Sequence, residues 1–230
     1  MSLPKKISAV IFDIDGTLVD SFPTFYTILN GRIRASGSVA ISREFLSNCF
    51  KEGLNLGEIL QRIFPRHVHE SVIERRKKEI LELFLKAEVD EIKPFPEVDK
   101  LFRNLKEKGI KIGVATGRMS PPEKEWERFK RYGLHPFIDS IVTSKDLEKR
   151  KPAPDLLIEC AKMLNVSLEE CLAVGDTEID IIAARRAGAI PVAVLTGQDG
   201  TDVLAREKPQ FLLKNIGDLA NLLEEETGGA

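Results

Sequence analysis

The chain has 230 residues, of which 43% are hydrophobic and 30% are charged, enough for a packed core beneath a polar surface. Its 34 lysines and arginines balance 36 aspartates and glutamates, which excludes a protein that binds nucleic acid or an anionic membrane through a strong overall field. No stretch approaches the length of a membrane span, and the three cysteines form no metal-binding pattern, so we expect free thiols and a cytoplasmic protein.

The first predicted element is a strand over residues 7–12, an apolar run typical of a strand buried on both faces. It ends on two acids, Asp13 and Asp15, and Gly16 with Thr17 then favours a turn. Because side chains alternate along a strand, both carboxylates point to the same side. Two adjacent acids repel each other unless a cation lies between them, so this strand end is a candidate site.

Residues 20–90 show helical periodicity without a strand pattern, and Pro94-Phe95-Pro96 then interrupts the chain. The first helix begins at Asp20 or Ser21 and has one apolar face. Further helices are predicted over residues 42–50, 55–64 and 69–87. We therefore expect an all-helical insert after the first strand.

Beyond Pro96 the predicted helices and strands alternate. Strands separated by helices of about ten residues imply right-handed crossovers and a parallel sheet that is covered on both faces. The predicted fold class is therefore α/β, with a Rossmann-like parallel sheet core formed by residues 1–19 and 91–230 and an all-helical insert over residues 20–90. The predicted helices are 97–108, 121–132, 153–164, 178–187 and 215–225, and the strands are 110–115, 138–142, 171–174, 190–195 and 211–213.

In open parallel sheets, functional groups collect at the carboxyl ends of the strands. In this chain those ends carry an acid pair, a threonine with a glycine, a lysine and a further pair of acids. Each of these groups alone is ordinary for a strand end, a loop or a helix start. Together they place acid, hydroxyl and ammonium groups at one edge of the sheet; they are Asp13, Asp15, Thr116, Gly117, Lys151, Asp176 and Asp180.

At these positions the chain resembles the haloacid dehalogenase-like hydrolases, in particular the phosphoglycolate phosphatase-like branch with a helical cap. The resemblance implies a Mg²⁺-dependent phosphatase that hydrolyses a small phosphate monoester through an aspartyl-phosphate intermediate. Residues 20–90 would be the cap. The matching stretches are Asp13-Ile14-Asp15-Gly16-Thr17-Leu18, Val114-Ala115-Thr116-Gly117, Lys151-Pro152-Ala153-Pro154-Asp155 and Gly175-Asp176-Thr177-Glu178-Ile179-Asp180.

The resemblance also implies roles for individual residues. Asp13 would attack phosphorus, and Asp15 would protonate the leaving oxygen and then activate water. Mg²⁺ would be held by the Asp13 carboxylate, the backbone carbonyl of Asp15 and Asp176, an oxygen set that suits this cation. Thr116, Gly117 and Lys151 would bind the phosphoryl oxygens, and Asp180 would support the metal site or the lysine.

The roles of four basic residues are left open by the sequence. Many sugar-phosphate members of the family have Asn or Ser after the threonine, whereas this chain has Gly117-Arg118. Arg118 either contacts a carboxylate or phosphate of the substrate or faces solvent. Lys149 lies in the same loop as Lys151, although the Lys–Pro pairing favours Lys151. In the insert, Lys51 is a candidate substrate contact.

Other activities are compatible with the same residues. A sugar-phosphate mutase or a pyrophosphatase of this superfamily would use the same core. A receiver-like protein or a catalytically silent phosphate-binding protein is the alternative of a different class. For each of these enzymes we expect a small phosphorylated metabolite as the binding partner. The expected oligomeric state is a monomer or a homodimer.

Overall fold

The computed structural model describes residues 6–52, 54–65, 67–197 and 199–227, without the side chains of residues 51, 89, 90, 146 and 225–227. The chain divides into two compact units. One is Met1–Asp20 with Pro94–Ala230, and the other is Ser21–Lys93. The first unit is an α/β core, and the second is helical, in line with the fold class predicted from the sequence.

Within the described residues, the core contains a six-stranded parallel sheet of order β3-β2-β1-β4-β5-β6. The central strand β1 pairs with β2 and β4, so that Phe12 lies beside Val114 on one side and Val174 on the other. The carboxyl ends of these three strands therefore meet at one edge. The strands are β1 Ala9–Phe12, β2 Lys111–Thr116, β3 Ser140–Thr143, β4 Cys171–Gly175, β5 Ile190–Val194 and β6 Phe211–Leu213.

The second unit has its own hydrophobic core, which includes Leu29, Leu46, Leu60 and Ile80. Its third helix begins with a capping box, in which the Asn55 side chain accepts hydrogen bonds from the first turn of the helix. Capping of this kind satisfies backbone N–H groups that have no partner within the helix. The helices of this unit are α1 Phe22–Ala35, α2 Arg43–Lys51, α3 Leu56–Ile63 and α4 Glu70–Asp90.

The core helices pack apolar side chains against the sheet. Leu157, Cys160 and Leu164 of the second helix after β2 are buried in one cluster with Ile11 and Ala173 of the sheet. No described helix carries an apolar segment long enough to cross a membrane. The core helices are α5 Val98–Glu107, α6 Pro122–Arg131, α7 Asp155–Leu164, α8 Glu178–Ala187, α9 Thr201–Arg206 and α10 Asp218–Thr227.

Beyond β5, two elements differ from the sequence prediction. The last helix begins at Asp218 instead of residue 215, because the Asp218 carboxylate accepts hydrogen bonds from the backbone N–H groups of Lys214 and Asn215 and holds that segment as a turn. The short helix α9 lies where the sequence suggests no regular element. Neither difference moves a predicted site residue.

Candidate active site

Lys151 lies among the polar groups at the carboxyl edge of the sheet. Its Nζ atom is 2.7 Å from Oδ1 of Asp13 and 2.7 Å from Oδ1 of Asp180, and it donates a 2.8 Å hydrogen bond to the backbone carbonyl of Ala115. The Lys151 side chain is only 7% exposed, so these groups replace the water that an ammonium would otherwise bind. One buried cation thus joins the ends of β1 and β2 to the start of α8.

Asp180 reaches Lys151 because the start of α8 fixes its carboxylate. The backbone N–H of Thr177 donates a 3.2 Å hydrogen bond to Oδ2 of Asp180, and the Thr177 hydroxyl donates to the same oxygen. This capping box leaves the other carboxylate oxygen for Lys151. A Cβ atom built on Gly175 would overlap the Asp180 side chain, so the glycine at the end of β4 provides the space for it.

The charges of this cluster depend on one another. Burial raises the pKa of Asp13 to about 7, and repulsion from Asp180 and Asp15 adds to the rise, while the Lys151 ammonium opposes it. For Lys151, burial favours the neutral form, but the Asp13 and Asp180 carboxylates outweigh it and raise the pKa above its usual value. The two carboxylates therefore favour the charged form of Lys151, and a second cation near Asp13 would favour the ionised form of Asp13.

Asp15 lies two residues beyond Asp13 and forms a two-point ion pair with Arg118. The Arg118 Nε atom donates a hydrogen bond to Oδ2 of Asp15, and its Nη2 atom donates one to Oδ1. Each donor–acceptor distance is 2.6 Å. The arginine side chain is 13% exposed. Of the two alternatives that the sequence leaves for Arg118, the solvent-facing one is wrong, and contact with a substrate stays a prediction.

Thr116 and Gly117 follow one another at the end of β2. Thr116 is buried, and its hydroxyl accepts a 3.3 Å hydrogen bond from the backbone N–H of Arg118. Gly117 is exposed, and a Cβ atom built on it would meet no atom within 4 Å. Protein packing therefore does not require glycine at this position, whereas a ligand lying against the backbone would favour it.

Asp176 follows β4 and is completely buried. The Thr17 hydroxyl donates a 3.0 Å hydrogen bond to its Oδ1 atom. A Cβ atom built on either Gly16 or Gly197 would overlap the Asp176 carboxylate. The backbone of these two glycines therefore packs directly against the carboxylate. Gly16 also has a φ angle of +82°, a conformation that L residues with side chains rarely adopt.

These residues fit the predicted cation site. Asp13 and Asp176 follow neighbouring strands, and the backbone N–H of Asp13 donates a 3.0 Å hydrogen bond to the carbonyl of Val174, two residues before Asp176. Within the described part of the chain, no three His, Cys, Asp or Glu side chains form a metal cluster. The predicted ligand set is of another kind, since it combines two carboxylates with the backbone carbonyl of Asp15, and hard oxygen donors of this type suit Mg²⁺.

Two basic candidates lie elsewhere. Lys149 is exposed, whereas Lys151 contacts Asp13, so the choice between these lysines falls on Lys151. Lys51 ends helix α2, but its side chain lies outside the described residues. Its predicted contact with a substrate therefore stays a prediction.

The structure adds residues to the site that were not among the predicted site residues. Thr17 donates a hydrogen bond to Asp176, and the backbone of Gly197 lies against the Asp176 carboxylate. Oε2 of Glu125 lies 3.6 Å from Nη1 of Arg118. Buried Asp199 accepts a hydrogen bond from the backbone N–H of Glu178 at the start of α8. Only Thr17 belongs to a motif that the sequence analysis identifies.

Comparisons with known proteins show which family the chain resembles. The family model described as haloacid dehalogenase-like hydrolase matches residues 10–194. The pyrophosphatase PpaX of Halalkalibacterium halodurans is 27% identical, covering 95% of this chain and 97% of that protein. The phosphoglycolate phosphatase of Aquifex aeolicus is 28% identical, covering 94% of this chain and 96% of that protein.

A solved structure shares the fold. The crystal structure of a β-phosphoglucomutase from Clostridium difficile has a TM-score of 0.77 at 22% identity, and the match covers 96% of this chain and 97% of that one. The match to the family model spans most of the chain, including the ends of β1, β2 and β4. The chain belongs to the haloacid dehalogenase-like hydrolases.

Proposed function

We propose that this protein is a Mg²⁺-dependent phosphatase of the cytoplasm that hydrolyses a small phosphate monoester, with phosphoglycolate as the first candidate. The observation that carries the proposal is the position of Lys151, whose Nζ atom lies 2.7 Å from both Asp13 and Asp180. A nucleophilic carboxylate and an anionic phosphate repel each other, so their approach requires fixed positive charge. Lys151 supplies that charge beside the nucleophile.

In the first step, an oxygen of the Asp13 carboxylate attacks phosphorus. A bond forms between that oxygen and phosphorus, and the bond from phosphorus to the leaving oxygen breaks with its electron pair. For this step Asp15 is protonated on one of the oxygens that otherwise accept from Arg118, and it gives that proton to the leaving oxygen. Lys151 and the Thr116–Gly117 segment bind the phosphoryl oxygens during the transfer.

In the second step, water hydrolyses the aspartyl-phosphate. Asp15, ionised by the first step, takes a proton from the water as the water oxygen bonds to phosphorus. The bond between phosphorus and Asp13 breaks, and its electrons restore the carboxylate. One acid therefore serves both half-reactions, first as a proton donor and then as a proton acceptor.

Mg²⁺ would be held by the Asp13 carboxylate, the backbone carbonyl of Asp15 and Asp176. When bound, it neutralises phosphate charge and favours the ionised form of Asp13. The surroundings of Asp176 support this assignment, because the Thr17 hydroxyl and the bare backbone at Gly16 and Gly197 hold its carboxylate in one place.

The substrate is proposed on two grounds. A helical unit inserted directly after the nucleophile strand suits a cap that encloses a small molecule and excludes water. The relatives include a phosphoglycolate phosphatase and a pyrophosphatase, so pyrophosphate is the second candidate. A sugar-phosphate mutase would use the same first step, with a second phosphate acceptor in place of water. The receiver-like and silent alternatives are disfavoured by membership in a hydrolase family.

A panel of phosphorylated metabolites with added Mg²⁺ tests the proposal. We expect phosphate release from a small monoester, and a loss of that activity to background in Asp13→Asn. The control is Asp202→Asn, the same chemical change at an exposed position on α9. Near-normal turnover by Asp13→Asn, or no phosphate release from any ester by the wild-type protein, would overturn the proposal. Isomerisation of a sugar phosphate without net phosphate release would indicate the mutase.

A further inference from the structure

Arg118 lies between two carboxylates. Its Nε and Nη2 atoms hold both oxygens of Asp15, and its Nη1 atom lies 3.6 Å from Oε2 of Glu125. Arg118 follows β2, and Glu125 lies in the first turn of α6. A planar guanidinium that binds a carboxylate at two points fixes its plane as well as its position.

Glu125 is itself held firmly. Its side chain is completely buried, and it contacts the Arg128 guanidinium and the Ser120 hydroxyl. Arg128 is also buried, with a side chain that is 5% exposed. A buried charge is tolerated when partners satisfy it, and an anion bound by two arginines and a hydroxyl meets that condition.

The Asp15 side chain is 33% exposed, so burial alone does not fix its orientation. Proton transfer requires a carboxylate oxygen within hydrogen-bond reach of the reacting water and aimed at it. The chain of contacts from Glu125 through Arg118 to Asp15 provides that orientation from a buried anchor.

We propose that Arg118, anchored by Glu125, is a positioning residue that holds the Asp15 carboxylate in the orientation needed to take a proton from the attacking water. This inference rests on the proposed phosphatase function. It differs from a role for Arg118 in gripping substrate, because Arg118 would then act independently of Asp15. In the water step, the proton moves to Asp15, the water oxygen bonds to phosphorus and the Asp13–phosphorus bond breaks.

A double-mutant cycle tests the coupling between Arg118 and Asp15. Nitrophenyl phosphate is the substrate, because its leaving group departs without a proton and the hydrolysis step then limits turnover. Steady-state kcat and the initial burst of nitrophenolate are measured for wild type, Arg118→Met, Asp15→Asn and the double variant. The matched control is Arg131→Met, at an exposed arginine on the same helix as Glu125.

We expect Arg118→Met to lower kcat by about tenfold to a hundredfold, no more than the roughly 10²- to 10⁴-fold that a general base contributes, and to keep the nitrophenolate burst of the wild type, because only the hydrolysis step is slowed. In the Asp15→Asn background the same substitution should change kcat by less than about threefold, because the group it positions is already gone. Arg131→Met should behave as wild type. Glu125→Gln should lower kcat in the same direction as Arg118→Met.

An equal loss in both backgrounds would overturn the inference, since Arg118 would then act on its own, and so would an unchanged kcat in Arg118→Met. If Arg118→Met does not fold by circular dichroism, Arg118→Lys carries the same cycle, because it keeps the charge but cannot bind both oxygens in the same plane. Failure of the proposed function is distinct, because the wild-type protein would then release no nitrophenolate.

Discussion

Lys151 and Asp180 form a buried ion pair in which each residue also interacts with a second group. The Lys151 Nζ atom lies 2.7 Å from Oδ1 of Asp180 and 2.7 Å from Asp13, while Oδ2 of Asp180 accepts hydrogen bonds from Thr177 at the start of α8. The helix start and Lys151 are thus held by a single carboxylate. If Lys151 acts as proposed, a change at Asp180 affects stability and activity together.

Replacement of Asp180 by Asn should weaken both properties. Removing one partner of a buried ion pair costs about 3 kcal/mol, and the remaining Asp13 partner keeps the loss at the lower end of the usual range. We expect a drop of that size in the free energy of unfolding from urea titration, together with reduced kcat. Asp202→Asn, at an exposed site, is the control and should change neither quantity. Unchanged unfolding of Asp180→Asn would show that the pair contributes no stability.

Gly117→Ala separates ligand binding from folding. No protein atom lies within 4 Å of a Cβ at this position, so the free energy of unfolding should stay unchanged or rise by less than about 1 kcal/mol. If a phosphoryl group lies against this backbone, the added methyl group should raise KM and weaken inhibition by inorganic phosphate. Gly200→Ala, which also has open space around it, should leave both values unchanged. Normal kinetics in Gly117→Ala would remove this residue from the phosphate site.

The buried cysteines should be unreactive in the folded protein. Burial raises the pKa of Cys160 to about 12 and that of Cys171 to about 11, from an ordinary value of 9.0. The thiolate is the reactive form, so alkylation at pH 8 should be slow in native buffer and fast in denaturant. Cys160→Ala and Cys171→Ala variants would assign the labelled sites by mass spectrometry.

The same pKa shifts have a consequence for stability. The folded protein keeps these two protons at a pH where the unfolded chain loses them, so their contribution is fully present below pH 9.0 and is lost as the pH rises through about 11 to 12. The free energy of unfolding should therefore fall above pH 9.0, and less steeply in Cys160→Ala. Rapid labelling of the native protein at pH 8 would contradict the assigned burial.

The grouping of site residues at the carboxyl edge of the sheet could be predicted, because it follows from the order of strands and helices along the chain. Alternating strands and helices imply a parallel sheet, and a parallel sheet brings its carboxyl ends together, so Asp13, Thr116 and Asp176 had to follow neighbouring or near strands. The structure adds the register, with Phe12 beside both Val114 and Val174.

The support for Asp15 was not predictable in the same way. Glu125 and Arg128 are three residues apart on a helix, as are Glu159 and Lys162, yet the first pair is buried and the second is exposed. Spacing alone does not distinguish a solvated pair from an anchored one. The difference arises from the packing of α6 beside Arg118, which depends on contacts between segments.

Gly197 is a second feature that only the fold reveals, and it leads to a prediction about the metal site. The sequence shows a glycine in a loop, whereas in the structure a Cβ atom there would overlap the Asp176 carboxylate. The Asp176 side chain is buried and accepts a hydrogen bond from the Thr17 hydroxyl, so its carboxylate has little freedom to move aside. Gly197→Ala should therefore displace the carboxylate that we expect to hold Mg²⁺.

Displacing a ligand or its support typically lowers metal affinity by about 10-fold to 100-fold. For Gly197→Ala we expect the Mg²⁺ concentration that gives half-maximal activity to rise by about that factor, and calorimetry with Mg²⁺ alone should show the same weakening. Gly200→Ala, three residues away with open space around it, is the matched control and should titrate as wild type. An unchanged Mg²⁺ titration in Gly197→Ala would count against Asp176 as a ligand, because the atoms nearest to the added Cβ belong to that carboxylate.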